Sequence, residues 1–271
     1  MKIMIKFHGV RGSLARPGKN TTMYGGNTPC LEIRFGKELI ICDCGTGIYE
    51  IGRALSKKQT NATILFSHYH WDHIIGLPFF MPIYDKRNRF TIIGRKGLRL
   101  ALKKLLSPPN FPARIGDFKS RIKLVEKRAG TFKIGKIRIE AFDVNHPNGA
   151  FGYRFVFPGK KSAVFISDNG PEADNSKLIK KIYGTDLLIH DAQYLPEEYL
   201  ERKKFGHSTY HYVLDIAKKA GIKNIVLFHH DPSRTDAELG KIEAAAKKLT
   251  GKIGLKAKIS VAREGKRLTL S

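Results

Sequence analysis

The sequence predicts a single α/β domain over residues 1–271, with two β-rich halves flanked by helices. The chain is 42% hydrophobic and 27% charged, a composition typical of a globular protein with a sizeable core. Patterns of buried strands occur in the first third and return in the second half, each time followed by helix patterns. No Ser/Gly-rich linker or low-complexity tract divides the chain. One domain therefore accounts for the whole sequence.

The first half opens with three predicted strands, over residues 3–8, 30–35 and 38–43. The dipeptide Gly36-Lys37 joins the last two as a two-residue hairpin turn. A helix is expected after Gly47. The short apolar run 62–67 then has the pattern of a buried strand, and it ends at the densest histidine cluster of the chain.

Residues 86–128 form the most cationic segment of the chain. They hold fourteen Lys or Arg against two acids, Asp117 and Glu126. A basic amphipathic helix is predicted over 96–106, and a proline-rich loop follows over 107–112. Two interpretations stay open for this segment, a lid or groove above the functional site and a solvated face.

The second half repeats the layering. Hairpins are predicted over 132–144 and 153–167, and a helix face is predicted around Val213 and Ile216. A buried strand over 224–228 ends directly before His229. Thr235 and Glu238 form a capping box at the start of the last helix, and a final strand is expected near 258–263.

The composition also bears on partners and compartment. Lys plus Arg exceed Asp plus Glu by 25, an excess that attracts anionic substrates and nucleic acid. A lysine-rich surface is also typical of thermophile proteins, so charge alone does not decide the function. We expect no membrane segment and no signal peptide, because apolar runs are short. The cysteines Cys30, Cys42 and Cys44 are expected to be reduced and buried in a cytoplasmic protein, with the last two on one strand face.

A histidine cluster after the fourth predicted strand carries the chemistry. Four metal-ligand side chains fall within six residues, namely His68, His70, Asp72 and His73. A strand end followed by a turn into a helix directs them toward two nearby points, so the spacing suits two adjacent metals that share one hydroxide. Core histidines do not cluster in this way.

Further candidate ligands follow other predicted strands. His146, Asp168 and His229 each stand where a strand meets a loop, which fits a site at one sheet edge. His207 lies directly before a helix, where phosphate can be held.

These motifs resemble those of the metallo-β-lactamase superfamily. The match is carried by H-x-H-x-D-H at 68–73 and by the later His146, Asp168 and His229. It also includes D-C-G-T-G at 43–47, and H-S-T at 207–209 with L-F-H-H-D-P at 227–232 indicates the phosphodiesterase branch that contains ribonuclease Z and cyclic-phosphate diesterases. The resemblance implies a four-layer αβ/βα sandwich.

The resemblance also implies ligand sets. One metal would be held by His68, His70 and His146. The other would be held by Asp72, His73 and His229, and Asp168 would bridge the two. Zinc is the expected ion, and the all-His/Asp set also admits manganese or iron.

Other roles are implied in the same way. His207 would contact the substrate phosphate and act with Asp72 as a catalytic residue. Asp43 and Asp191 would support the ligands from behind. Arg11 and Asn27, in glycine-rich loops, are assigned to the substrate rim.

The sequence departs from those of relatives at two points, and these departures narrow the choice of substrate. Common ribonuclease Z enzymes carry a long arm for transfer RNA between the positions of His146 and Asp168, and 22 residues leave no room for one. The three cysteines do not reproduce the structural zinc site of a phosphonate-pathway diesterase. The missing arm favours a small phosphodiester, such as a cyclic nucleotide.

Several alternatives stay open. The basic charge favours RNA or DNA, and thus a ribonuclease Z-like nuclease without the arm. A carboxylic ester or thioester hydrolase would use the same metal centre. A non-enzymatic nucleic-acid scaffold is disfavoured, because all seven ligand positions are filled. A homodimer is also open, since dimers are common among the relatives.

Overall fold

Two seven-stranded mixed sheets pack face to face at the centre of the structure, a computed structural model that describes residues 1–270. The strands in chain order are β1 (Ile3–Gly9), β2 (Cys30–Phe35), β3 (Glu38–Cys42), β4 (Asn61–Leu65), β5 (Arg89–Arg95), β6 (Arg121–Lys127), β7 (Gly130–Ile134), β8 (Ile137–Val144), β9 (Ala150–Val156), β10 (Ser162–Ile166), β11 (Leu187–Asp191), β12 (Asn224–Phe228), β13 (Lys258–Val261) and β14 (Arg267–Leu270).

The two sheets have equivalent topologies. The first has the order β14-β1-β2-β3-β4-β5-β6 and the second β7-β8-β9-β10-β11-β12-β13. In each sheet the first four strands of that order pair antiparallel and the last three continue in parallel. The carboxyl ends of the parallel strands therefore meet at one edge of each sheet, the usual place for a site in such folds.

Helices cover the outer face of each sheet. The α-helices are α1 (Ile48–Leu55), α2 (Trp71–Ile74), α3 (Leu98–Leu105), α4 (Ser176–Ile182), α5 (Tyr199–Arg202), α6 (Tyr210–Lys219) and α7 (Asp236–Lys252). The apolar faces of α1 and α3 pack on the first sheet, and those of α4, α6 and α7 on the second. Four layers result, in the order helices, sheet, sheet, helices, so the predicted fold class is confirmed.

The central core lies between the sheets and consists mainly of large apolar side chains. Phe228 on β12 packs against Phe7 on β1, with ring centroids 6.1 Å apart, and against Phe165 on β10, at 5.4 Å. The Phe7–Phe228 contact buries apolar area from both sheets at once, worth roughly 25 cal/mol per Å². Packing between the sheets fixes the strand ends of one sheet relative to those of the other.

Most predicted elements are confirmed within a few residues, including the β2–β3 hairpin, β12 and the capping box at Thr235 and Glu238. Six strands and α-helices have no counterpart among the predictions, namely β5, β6, α4, β11, α5 and β14. The prediction that Cys42 and Cys44 share a strand face is wrong. Asp43 between them has φ +61° and ends the strand, so Cys42 enters the central core and Cys44 enters the core under the helices. All three cysteines are buried and unpaired.

Among the described residues 1–270, no helix combines the length and the apolar character needed to cross a membrane. That a single domain covers the whole chain stays a prediction.

Candidate metal centre

The ends of strands from both sheets supply the site. The histidine cluster follows β4 and continues into the short helix α2, whose first residue is Trp71. From the second sheet, Asp168 follows β10 and His229 follows β12 directly. The seven residues predicted as metal ligands are thus brought together across the inter-sheet boundary.

Three histidines form a first group of donors. His68, His70 and His146 offer ring nitrogens within 4.8 Å of one another. The Nε2 atom of His146 lies 3.1 Å from Nδ1 of His70. Oδ2 of Asp168 stands 3.8 Å from Nε2 of His68 and 3.7 Å from Nε2 of His146, and so faces this group.

A second group lies on the other side of Asp168. Oδ2 of Asp72 is 3.1 Å from Nε2 of His73 and 3.3 Å from Nε2 of His229, and the two ring nitrogens are 3.3 Å apart. Asp168 again faces the group, with Oδ1 3.2 Å from His73 and Oδ2 3.4 Å from His229. Its carboxylate therefore stands between the two sets of donors.

The outer ring nitrogens fix the direction of the inner ones. Nδ1 of His73 donates to Asp43 at 2.9 Å, Nδ1 of His229 to the amide oxygen of Gln193 at 2.8 Å, and Nδ1 of His146 to the carbonyl of Gly206 at 2.9 Å. Each acceptor favours the tautomer with the proton on Nδ1, which leaves a lone pair on Nε2. Three imidazoles therefore present lone pairs to the same centre.

This arrangement fits cations. Nε2 of His68 and Oδ1 of Asp168 are fully buried and have no hydrogen-bond partner among the described residues. With the outer nitrogens protonated, ring nitrogens and carboxylate oxygens that can only accept hydrogen bonds face one another at 3.1–3.4 Å. Two donors on one tetrahedral zinc, each at about 2.0–2.1 Å, would stand about 3.3–3.4 Å apart. Divalent ions would satisfy these orphaned donors.

The pKa shifts of these residues also favour the binding of cations. Burial opposes ionisation of Asp72 and Asp168, yet the surrounding histidines hold the pKa of both carboxyls well below the usual range. Burial disfavours the charged form of His73, but Asp72, Asp168 and Asp43 raise its pKa well above the usual value. The pKa of His68 is lowered by burial and by neighbouring histidines. Negative charge is therefore concentrated where a cation would sit.

Asp43 anchors the histidine cluster from behind. It is fully buried, and its carboxylate accepts hydrogen bonds from the backbone N–H of Ser67 at 2.8 Å, from the Ser67 hydroxyl at 2.9 Å and from His73. The same serine hydroxyl lies 3.0 Å from Nδ1 of His68. One carboxylate thus orients ligands of both groups.

His207 and Asp191 form a pair at the other wall. Nδ1 of His207 donates to Oδ2 of Asp191 at 3.0 Å, and its ring stacks on His229 with centroids 5.0 Å apart. Burial alone would lower the pKa of His207, but Asp191 outweighs it and raises the pKa above the usual value. Because Asp191 occupies Nδ1, Nε2 is the ring nitrogen available to an incoming group.

A pocket of about 400 Å³ opens onto these residues. Its lining comes from the histidine cluster, the loop after β1 and the second sheet, through Ser13, Tyr69, His70, Trp71, Asp72, Asp168 and His207. None of the lining residues comes from the cationic segment 86–128. The interpretation of that segment as a lid over the metals therefore finds no support, and it forms instead β5, α3 and β6 beside the pocket.

The expected place of Arg11 at the substrate rim is wrong. Its side chain is fully buried and donates to the backbone carbonyls of Gly25 at 2.8 Å, Asp231 at 3.3 Å and Arg234 at 2.7 Å. Burial lowers its pKa. Arg11 ties three loops together behind the site and does not line the pocket.

Asn27 is likewise engaged in a loop. Its Nδ2 donates to Glu264 at 2.9 Å, and its Oδ1 accepts from the Thr46 hydroxyl at 2.9 Å. It does not line the pocket. Both amide atoms serve the loop structure, which leaves the rim role without structural support.

Three contributors were missed by sequence reasoning. Gln193 holds His229, the Gly206 carbonyl holds His146, and the backbone N–H of Ser13 donates to Oδ2 of Asp72 at 2.8 Å. Two of these act through backbone atoms, which no side-chain motif reveals. Gln193 offered a weak signal, because it is one of only two glutamines and stands two residues after Asp191.

Replacing Gly12 by alanine is expected to weaken metal binding about tenfold or more, the effect typical of a disturbed ligand support. An added Cβ would stand 2.3 Å from Nδ1 of His229 and 2.5 Å from Oε1 of Gln193, so that hydrogen bond cannot keep its geometry. Competition with a chromophoric chelator measures the affinity. Gly18→Ala is the matched control, because its Cβ would meet nothing within 4 Å. Equal affinities in both variants would contradict the prediction.

Comparison with known families agrees with this geometry. The family profile described as "Beta-lactamase superfamily domain" matches residues 39–230, which is more than half of the chain. The chain belongs to the beta-lactamase superfamily. It is a metal-dependent hydrolase, as the sequence predicts.

Three individual relatives have 18–27% sequence identity to this beta-lactamase superfamily member. Ribonuclease Z from Pyrococcus horikoshii is 27% identical over 261 residues, which cover 76% of this chain and 81% of the relative. The metallo-beta-lactamase fold protein YhfI from Bacillus subtilis has a TM-score of 0.76 at 18% identity, with 99% of both chains covered. A diphosphatase from the PhnP family has a TM-score of 0.73 at 18% identity, with 99% of this chain and 98% of that chain covered.

Proposed function

We propose that the protein is a binuclear metal-dependent phosphodiesterase that hydrolyses a small phosphodiester, such as a cyclic nucleotide. The observation that carries the proposal is the placement of Asp168 between two groups of three donors, with His207 beside it at 3.7 Å. Five imidazoles and two carboxylates are donor types that two divalent ions take. The named relative, a ribonuclease Z, supports the phosphodiester class.

The donor groups divide between the two ions. His68, His70 and His146 would hold one, Asp72, His73 and His229 the other, and Asp168 would contact both. Zinc fits the donors, and manganese or iron is compatible with them. When bound, two such ions activate water as a nucleophile and neutralise charge that develops on phosphate.

The chain's own residues would complete the chemistry. His207 lines the pocket, and its hydrogen bond to Asp191 leaves Nε2 free to donate to a phosphate oxygen or to the departing alkoxide. Asp72 is held by Ser13 and so keeps its oxygen directed at the second group. No serine or cysteine nucleophile is needed.

Pocket size supports a small substrate. A volume of about 400 Å³ suits one phosphodiester with its nearest substituents, and the 22 residues from His146 to Asp168 leave no room for a long RNA-binding arm. A nuclease is the second candidate, favoured by the ribonuclease Z relatives and by the net charge of +25. A cytoplasmic location and a homodimer are further expectations under this proposal.

A substrate panel tests the proposal. Protein loaded with Zn²⁺ or Mn²⁺ receives 2′,3′- and 3′,5′-cyclic nucleotides, a short RNA and a thioester, with Asp168→Ala as the blank. Turnover of cyclic nucleotides alone is the expected result. Preferred cleavage of RNA would favour the nuclease, and turnover of the thioester alone would overturn the phosphodiesterase proposal.

His207→Ala is expected to lower kcat about 10²- to 10⁴-fold, the usual contribution of a general acid, while the bound metal stays unchanged. The reason is that the imidazole lies in neither three-donor group assigned to an ion, although it faces Asp168. Metal content after gel filtration and steady-state rates provide the two readouts. Simultaneous loss of metal and activity would reassign His207 to a structural role.

A further inference from the structure

A large apolar groove adjoins the metal-site pocket. It has a volume of about 840 Å³ and runs between the short helix α2 and the helix α3. We call it the α2–α3 groove, lined by Tyr69, Trp71, Ile74, Ile75, Pro78, Phe79, Gly97, Leu100, Ala101, Lys104, Leu105, Ser107, Asn110 and Phe111. Tyr69 and Trp71 line both the groove and the pocket beside Asp168, so the two spaces adjoin.

Exposed apolar side chains are concentrated here. Trp71 is 79% exposed, Leu100 57% and Phe79 54%. The ring of Phe79 packs edge-on against Phe111 with centroids 5.7 Å apart, so aromatic surface continues from the metal-site edge along the groove. Contiguous exposed apolar surface of this kind marks a binding site.

The groove's aromatic end has a rigid base. Tyr69 packs against Phe66 and donates its hydroxyl hydrogen to the backbone carbonyl of Arg95. Gly94 permits this position, since a Cβ there would stand 2.5 Å from the tyrosine oxygen. Trp71 lies between the predicted ligands His70 and Asp72, which fixes its backbone beside the donors. The tyrosine side of this surface is therefore held in place before a ligand arrives.

The positive charge around the groove favours an anionic ligand. Lys104 lines the groove, and the surrounding segment 86–128 is the most cationic of the chain. A second copy docked symmetrically would bring its own α3 lysines against these, which like charges oppose. An anionic ligand with a flat aromatic group gains from both the apolar wall and the cations.

We infer that the α2–α3 groove binds an aromatic group carried on the ester that is retained after cleavage, with that ring stacked on Trp71. The inference rests on the proposed function, because it places the scissile phosphate at the metal centre. The aromatic ring would belong either to a nucleobase or to a simple aryl group. In either case the groove would set specificity for the organic part of the diester.

The single tryptophan provides a direct test, because all tryptophan emission comes from Trp71. Zn²⁺-loaded protein is titrated with adenosine 5′-monophosphate, phenyl phosphate and ribose 5-phosphate, excited where nucleobases do not absorb. We expect both aromatic phosphates to quench the emission and adenosine monophosphate to bind about tenfold more tightly than ribose 5-phosphate. Quenching by phenyl phosphate alone would assign the groove to simple aryl esters. Equal affinities with unchanged emission would overturn the inference.

Variants of the groove wall provide the second arm. Phe79→Gln with Leu100→Gln removes exposed apolar surface without adding charge, and Tyr183→Gln with Leu200→Gln is the matched control outside the groove. The groove variant is expected to lose most of the tenfold preference and to raise KM for bis(4-nitrophenyl) phosphate, with KM for methyl 4-nitrophenyl phosphate unchanged. Conversion of a dimer to a monomer with unchanged nucleotide affinity would make the groove a contact between copies and overturn the inference.

These experiments distinguish failure of the proposed phosphodiesterase function from failure of the groove inference. Nucleotide-dependent quenching without hydrolysis of any diester would overturn the proposed function and, with it, the substrate role of the groove, while the aromatic binding site itself would stand. Hydrolysis of both nitrophenyl diesters with the same KM in the wild type would leave the phosphodiesterase standing and overturn the inference.

Discussion

Asp168→Ala is expected to abolish turnover, by about 10³-fold or more, and to reduce the bound metal below two equivalents. Its carboxylate stands 3.2–3.8 Å from donors of both groups, so its removal opens both sets at once and leaves facing imidazole lone pairs without the intervening charge. Loss of a single preorganised electrostatic group costs about 10²–10³ in rate, and under the proposed function this residue would serve two ions. Metal analysis after gel filtration and rates on the hydrolysed diester measure both effects.

A surface carboxylate controls for charge. Asp215 is exposed on α6 and pairs with Lys219 one turn away, so Asp215→Ala alters the same charge without touching the site. It should retain metal and activity. Two equivalents of metal in Asp168→Ala would show that Asp168 does not join the two donor groups.

Asp43→Asn is expected to lower metal affinity about 10- to 100-fold, although Asp43 lies in neither three-donor group assigned to an ion. Asparagine tolerates the φ of +61°, so the turn after β3 can persist. The amide nitrogen, however, is a donor where His73 now donates to a carboxylate oxygen. His73 must then lose that bond or shift its proton to Nε2, which points at the site. Isothermal titration of the metal-free protein measures the affinity.

Asp43→Ala separates orientation from folding. It would leave the buried Ser67 N–H without its acceptor and place alanine at a positive φ, which together should cost about 2–4 kcal/mol of unfolding free energy. Asp43→Asn should lose metal affinity with a smaller loss of stability. Asp174→Asn, on an exposed loop, is the neutral control. Unaltered metal affinity in Asp43→Asn would remove the supporting role from Asp43.

The residues that the structure brings together as candidate ligands could be found in the sequence because their signals are local. The cluster from His68 to His73 lies within six residues, and His146, Asp168 and His229 each stand at a strand end that periodicity reveals. Two of the missed elements, the edge strands β6 and β14, lacked such signals. In β6, alternating Ile122 and Leu124 are masked by lysines and arginines, because this strand is at the edge of its sheet and is half exposed. The short edge strand β14 has the same character.

The supporting residues depend on tertiary contacts. The assignment of Arg11 to the substrate rim rests on its place in a glycine-rich loop that matches the family. Only the folded chain shows that carbonyls of Gly25, Asp231 and Arg234 converge on it. Gln193 reaches His229 across 36 residues, and no short motif encodes that contact. Trp71, which lines the pocket, lies within the histidine motif, but only the structure shows that its side chain is exposed.

The division of the donors between two equivalent sheets has a consequence for the order in which the site is assembled. The first half of the chain supplies His68, His70, Asp72 and His73, and the second supplies the other three donors. During synthesis, the histidine cluster emerges about a hundred residues before Asp168, so an early ion would meet only an incomplete cage open to solvent. High affinity arises when the sheets dock. A bound ion then acts as a cross-link between distant parts of the chain, so metal loading and the last step of folding stabilise each other.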